Sequence, residues 1–303
     1  MFELKSEFPL LDKKALPLGI RCREIEGADI DGVLKLLAHG LRNPHRSHRF
    51  WKRALQRLSA HPTPFGLPKY GYLLEHKGVP IGVILLIFAS ILVNGEPRIR
   101  CNVSSWYVEP AFRGYAAMLA SRALKHKHVT YFNITPASHT LPILVAQRYI
   151  RYCAGRFVSI PALSACSSGW RVARVPPETR PGEDLPESDI ELLLAHANYG
   201  CVSLICSRED RRYPFVFVPG RKFGFLPYAY LVYCRDLAEF VRFAGPLGRY
   251  LARRGFPLVV LDSNGPVSGL IGRYSANFPK YFKGPDQPRL GDLAYSERAL
   301  FGF

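Results

Sequence analysis

The stretch Val108-Glu109-Pro110-Ala111-Phe112-Arg113-Gly114-Tyr115-Ala116-Ala117-Met118-Leu119 decides how this 303-residue chain is read. It has the pattern of a strand that ends in a turn and then starts a helix. Cys101 to Val108 reads as the strand, and Pro110 stops it because proline has no amide to give to a sheet ladder. Arg113-Gly114 supplies a cation and a permissive backbone where Tyr115 to His126 takes on helical character. A helix start carries unpaired N–H groups and the positive end of the helix dipole. With Arg113 beside it, the turn is expected to seat a pyrophosphate.

Working outward, Arg98 to Val108 is the central strand. Before it, Tyr70 to Glu75 and Val79 to Val93 form two strands joined by the turn His76-Lys77-Gly78, and Asn94-Gly95-Glu96-Pro97 is a second turn. Ile20 to Glu24 is a first strand. Asp29 or Asp31 caps a helix carrying Val33, Leu34, Leu36 and Leu37, which Asn43-Pro44 breaks. Ser47 to Leu58 is a second helix, with Phe50, Trp51, Leu55 and Leu58 on an apolar stripe and Arg46, Arg49, Lys52, Arg53 and Arg57 around it. That basic face either is solvated or meets nucleic acid, an acidic carrier protein or lipid head groups. After the central helix, Val129 to Ile134 is a strand, and Ser138-His139-Thr140-Leu141-Pro142 opens a short helix running to about Ala146.

The size suits one large or two moderate domains. Hydrophobic residues make up 48% and aromatic residues 13%, which is a globular composition. A formal net charge of +17 favours polyanionic partners: a phosphorylated cofactor, an acidic carrier protein, nucleic acid or an anionic membrane surface. Seven cysteines without metal-type CxxC pairs point to reduced thiols and a cytoplasmic setting. Met1 to Lys14 mixes Glu3, Lys5, Glu7 and Asp12 among its apolar residues, so no signal peptide is expected. The longest apolar run, Gly82 to Val93, is too short to span a bilayer and suits a buried strand.

In Val108-Glu109-Pro110-Ala111-Phe112-Arg113-Gly114 the chain resembles the GCN5-related N-acetyltransferase (GNAT) superfamily, whose coenzyme A loop follows a strand as Gln/Arg-x-x-Gly-x-Gly/Ala, commonly within V-x-P-x-x-R-G. Ala116 stands where the family's second glycine would be, and Met118 at its final Gly/Ala position. Arg148-Tyr149-Ile150-Arg151-Tyr152 fills the place of the family's Gly-Phe and following strand. The resemblance implies an α/β (α+β) fold: a mixed, mostly antiparallel sheet flanked by helices, with two strands splayed so that the acyl-bearing arm of the cofactor enters between them. It also implies acetyl-CoA or another acyl-CoA as donor, bound at Val108, Arg113, Gly114, Tyr115, Ala116 and Ala117.

Direct acyl transfer needs a base for the acceptor, donors for the thioester oxyanion and an acid for the departing thiolate. Relatives commonly place a carboxylate earlier on the central strand, where this chain has Arg98 and Arg100. Glu109 is the nearest acid, either a base or a solvated turn residue. His139, opposite the turn, is a base or a cap. Tyr107 alternates with Trp106, so one of the two faces the cleft, and Tyr107 there is an acid or a core residue. Relatives often carry a tyrosine acid later in the helix that follows, where this chain has Leu144.

Residues 167–189, with Pro176-Pro177, Pro181, Gly182, Pro186 and several acids, read as a Pro-rich linker between a domain at 1–166 and another at 190–303. Beyond it come apolar strands at Tyr199 to Cys206, Pro214 to Pro219, Tyr228 to Cys234 and Leu258 to Leu261, with Asp236 to Arg254 helical. This order echoes the first half and predicts a second, degenerate GNAT-like copy. That copy has Arg235-Asp236-Leu237-Ala238 in place of the Arg-Gly turn and is expected to bind no coenzyme A. Tyr281-Phe282-Lys283-Gly284 and Leu300-Phe301-Gly302-Phe303 read as closing strand and packing residues.

The resulting expectation is a cytoplasmic acyltransferase acting on an unidentified amine or hydroxyl acceptor, small or carrier-bound, with acyl carrier protein as a possible donor. Nucleic acid is the less favoured partner. Two rivals remain: an aminoacyl-tRNA-dependent transferase with tandem GNAT-like domains, and a non-catalytic protein binding acyl-CoA or polyanions.

Overall fold

The computed structural model describes residues 19–41, 46–93, 95–165, 169–222 and 226–302, the side chains at 139 and 222 excepted. The N-terminal stretch to Lys14 and the Asn43-Pro44 break lie outside these residues.

Chain order in the first half is β1 (Ile20–Glu24), α1 (Ile30–Gly40), α2 (His48–Ala60), β2 (Gly71–His76), β3 (Val79–Val93), β4 (Glu96–Val108), α3 (Ala116–Ala123), β5 (Thr130–Asn133), α4 (Leu141–Ala146), β6 (Ile150–Cys153) and β7 (Gly155–Ser159). There follow β8 (Arg171–Arg174), α5 (Glu187–Asn198), β9 (Val202–Arg208), β10 (Arg211–Lys222), β11 (Leu226–Cys234), α6 (Leu237–Arg242), α7 (Ala244–Ala252), β12 (Leu258–Ser263), β13 (Gly272–Ser275), β14 (Lys280–Lys283) and α8 (Glu297–Phe301). Among the described residues they form two seven-stranded sheets, ordered β1-β2-β3-β4-β5-β14-β6 and β8-β9-β10-β11-β12-β7-β13. Each sheet is antiparallel except at one step, β4 beside β5 in the first and β11 beside β12 in the second. The mixed, tandem architecture read from the sequence is therefore present.

The sheets exchange a strand. The sixth strand of the first sheet is β14, from the far end of the chain, and the sixth of the second is β7, from the first half. Ala154 alone separates β6 from β7, and one residue cannot reverse a chain into a hairpin, so β7 continues into the other sheet. Asn264 pins the crossing, accepting from Ala154 N at 2.6 Å and donating to Tyr152 O at 3.1 Å. Gly155 is required there, because a Cβ would stand 2.1 Å from Ser275 O.

Sheet membership therefore crosses the 1–166 and 190–303 boundary, and the linker reading of 167–189 is corrected. Val172 packs on the second core, β8 pairs with β9 as an edge strand, and α5 begins inside the same stretch at Glu187. Proline and acid density masked a four-residue strand that buries little. The helix expected over 236–254 is two, since Pro246 has no amide for Arg242 O and the chain breaks at Phe243.

The first sheet is covered on both faces. Helices α1 and α2 pack Val33, Leu37, Trp51 and Leu55 on one side, and α3 packs Leu119 and Ala123 on the other. Helix α5 joins the halves, its Ile190 and Leu193 sharing a core with Phe132, Phe282, Val216 and Val232. Burial of Lys280 is complete, and it donates to Asp262 Oδ1 at 2.6 Å, an ion pair that ties β14 to β12 across the exchange. No helix among the described residues is long and apolar enough to cross a membrane.

Candidate active site

Strands β4 and β5 pair over three positions only, Arg100 with Thr130, Cys101 with Tyr131 and Asn102 with Phe132. Beyond Asn102 they part, although β4 runs on to Val108. The cause is a bulge. Val83 pairs with Tyr107 and Leu85 with Ser104, so β4 spends one residue more than β3, and Ser105 takes a left-handed φ of 42°. For a non-glycine residue that conformation costs roughly 1–2 kcal/mol. The bulge bends β4 away from β5 and leaves a free strand edge facing the gap.

A cavity of about 570 Å³ opens through this splay, lined by Val103 to Val108 on one side and by Asn133, Thr135, Pro136 and Ala137 on the other. Gly40 and Arg46 border it from the α1 side, Arg113 and Ala116 from the α3 side. Trp106 packs toward the α3 face and Tyr107 toward the α1 face, as alternation requires, yet both line the cavity because it passes through the sheet. Gly40 admits the Tyr107 ring, since a Cβ would sit 2.3 Å from it.

The floor carries a residue that the sequence reading did not single out. Glu297, the first residue of α8, is 1% exposed and lines the same cavity. Its two carboxylate oxygens accept hydrogen bonds from Ser104 Oγ on β4 and Thr135 Oγ1 beyond β5. Its amide donates to Asn102 Oδ1 at 2.6 Å, while Asn102 Nδ2 donates to Phe132 O at 3.2 Å. Asn102 thus holds α8 at the apex of the splay. Burial raises the Glu297 pKa above the ordinary carboxylate range, against the hydrogen bonds from Ser104 and Thr135 and the charges of Arg46 and Arg298. The clue in the sequence was an acid and an arginine, Glu297-Arg298, just ahead of the stretch Leu300-Phe301-Gly302-Phe303 that reads as packing.

Arg100 explains how the carboxylate arrives. On β4, Arg100 is buried and donates to Asp292 Oδ1 at 2.9 Å and to Ala294 O at 2.6 Å. The C-terminal segment is thereby drawn across the first sheet, and it delivers Glu297 from outside the strand. The same segment fills the splay of the second sheet: Cys234 N donates to Gly291 O at 2.9 Å and Leu293 N to Val232 O at 2.7 Å, along the edge that β11 turns toward the gap. Arg235 there is held by Asp189 at 2.6 Å.

Of the residues singled out from the sequence, Tyr107, Val108, Arg113 and Ala116 line the cavity. Tyr107 Oη donates to Glu109 Oε2 at 3.2 Å, and its pKa is raised by burial and by the Glu109 charge. Glu109, Gly114, Tyr115 and Ala117 are not among the lining residues. His139 falls in a 3-10 turn at Ser138–Thr140, and its side chain lies outside the described residues. Met118 packs on the core rather than into the groove.

The expected pyrophosphate cradle is corrected in one respect. Pro110 to Tyr115 winds as a 3-10 helix, with Phe112 N on Glu109 O and Ala116 N on Arg113 O, so these amides are engaged by carbonyls three residues back. Exposed Arg113 and the open space beside Gly114, where a Cβ would meet nothing within 4 Å, remain for an anion. The splay and its free strand edge fit the acyl-bearing arm of a thioester donor; the turn offers a phosphate one guanidinium in its present winding.

No family profile and no curated protein matches the sequence. Solved structures do. A candidate acetyltransferase from Pyrococcus horikoshii has a TM-score of 0.56 at 12% identity, covering 94% of this chain and 95% of that one. A GCN5-related N-acetyltransferase from Anabaena variabilis has a TM-score of 0.55 at 10% identity, covering 87% and 72%. Another from Kribbella flavida has a TM-score of 0.50 at 13% identity, covering 87% and 70%. The chain has the GNAT-like fold in a two-sheet, tandem arrangement.

Proposed function

We propose that this chain is an acyltransferase that moves an acyl group from acyl-CoA, acetyl-CoA or longer, directly to an amine or hydroxyl acceptor in the splay cavity of the first sheet. The observation that carries the proposal is the buried Glu297 carboxylate at the floor of that cavity, in a fold shared with N-acetyltransferases. The donor supplies an activated thioester carbonyl. Glu297 takes the proton from the acceptor nucleophile, and its raised pKa makes it a better base near neutrality than an ordinary carboxylate. Ser104 and Thr135 hold the carboxylate in place through their hydroxyl donors. Backbone amides along the bulged end of β4 serve the developing oxyanion. Tyr107, which keeps its phenol proton at neutral pH, serves the leaving thiolate, with Glu109 orienting its hydroxyl. His139 is kept as a second candidate base, and Val108, Arg113 and Ala116 border the donor side of the cavity, with Gly114 and Tyr115 on the adjoining turn and Ala117 at the start of α3.

The winding of Pro110 to Tyr115 favours a second donor, acyl carrier protein, whose prosthetic arm carries a single phosphate and so asks less of the engaged amides. Calorimetric titration with acetyl-CoA, a long-chain acyl-CoA and acyl carrier protein separates the two. Micromolar acyl-CoA binding abolished by Arg113→Glu supports the first; binding of the carrier protein alone supports the second; thiol release from neither donor with a broad amine and alcohol panel refutes both.

A further inference from the structure

A second groove, of about 540 Å³, takes part of its wall from α8, as the splay cavity does, and is lined by Arg49, Arg53 and Arg57. These residues recur every four positions, so they share one face of α2. Like charges at that spacing destabilise a helix, and among the described residues no carboxylate stands within ion-pair distance of any of the three. Other arginines of the chain are treated differently: Arg23 meets Asp29 and Glu75, Arg100 meets Asp292, and Arg235 meets Asp189. Arg57 is half-buried and fixed by a hydrogen bond to Leu300 O at 3.0 Å. Its pKa is lowered, chiefly by burial and then by the charge of Arg53 beside it.

Three guanidiniums lining one small concave site supply the fork donors that phosphate oxygens accept. The volume is that of a small-molecule pocket. The groove also shares its walls with the splay. Helix α8 gives Glu297 to the cavity and Ala299 and Phe301 to the groove, and at the start of α2, Arg46 borders the first and Ser47 the second. We infer that this groove binds the phosphate or pyrophosphate group of a small molecule, and that this molecule is the acceptor whose nucleophile reaches Glu297. The acceptor role rests on the acyl-transfer reading, whereas the anion site does not.

The test is calorimetric titration of the full chain with pyrophosphate, and with O-phosphoethanolamine against ethanolamine, at low salt. Arg49 and Arg53 are exposed, so Arg53→Gln and the Arg49→Gln/Arg53→Gln pair leave the fold intact, which a thermal melt verifies. Pyrophosphate binding is expected to weaken about tenfold for each guanidinium removed, while Arg113→Glu leaves it in place. The phosphorylated amine should bind and its plain counterpart should not. Pyrophosphate binding that is absent, or equal in the wild type and the double variant, overturns the site even if thiol release from acyl-CoA proceeds. Binding of a short single-stranded RNA with neither small phosphate retained overturns the small-molecule assignment. An intact anion site in a chain that consumes no acyl thioester overturns the acceptor role alone.

Discussion

Replacing Glu297 by Gln separates its charge from its shape. The amide keeps an acceptor oxygen for one of the two hydroxyls that now reach the carboxylate, and the main-chain bond from residue 297 to Asn102 Oδ1 at 2.6 Å is untouched. The stability change should stay near 1 kcal/mol, the scale of one altered neutral hydrogen bond. Glu297→Ala removes both acceptor oxygens and leaves a void beside Ser104, which keeps Ser105 Oγ at 3.0 Å, so it mixes lost packing with lost chemistry and is the wrong variant for judging the base. Removing a general base costs about 10²–10⁴ in rate. In a thiol-release assay with a saturating acceptor, Glu297→Gln should therefore lower kcat by at least about a hundredfold, with donor affinity unchanged by calorimetry. The wild-type rate should climb with pH through the raised carboxyl pKa, and the variant should lose that limb. A Glu297→Gln protein that keeps the wild-type kcat, or keeps the same acidic limb, refutes the role and returns the base to His139 or Glu109.

Other consequences concern the way the halves are held. Lys280→Met leaves the Asp262 carboxylate buried without its cation and should cost about 3–5 kcal/mol in urea unfolding, with the added change Asp262→Leu recovering part of the loss. Gly155→Ala drives a Cβ into Ser275 O and should cost about 1–3 kcal/mol, read as faster proteolysis around β13 and a lower urea midpoint. His196 is fully buried, with Nδ1 donating to Leu192 O at 2.7 Å and Nε2 accepting from Tyr295 N at 3.0 Å, and burial depresses its pKa to about 4. It stays neutral in the fold but charges in the unfolded chain, so its contribution is complete above about 6.5 and is lost as pH falls from there toward 4. The loss should approach about 3 kcal/mol, and His196→Phe should flatten the urea midpoint over that range.

Local chemistry in the sequence was sufficient for the element order. Pro110, the alternation at Trp106 and Tyr107, the hairpin turn at Lys77-Gly78 and the apolar stripe of α2 each act over a few residues, and the chain shows the same devices: Lys77 and Gly78 both take positive φ, and Trp51, Leu55 and Leu58 are buried. Even the echo between the two halves was legible, because it is an order of strands and helices. The 3-10 winding of Pro110 to Tyr115 was not, since Arg-Gly at a strand end suits an open loop and a tight turn alike. Tertiary structure alone decided the strand exchange and the acid of the site. Ser104 and Glu297 stand 193 residues apart, and Arg100 reaches Asp292 across 192. No periodicity or motif encodes such pairs. Their meeting follows from β7 and β14 each completing the other half's sheet, which carries the C-terminal segment across the second splay and sets its carboxylate into the first.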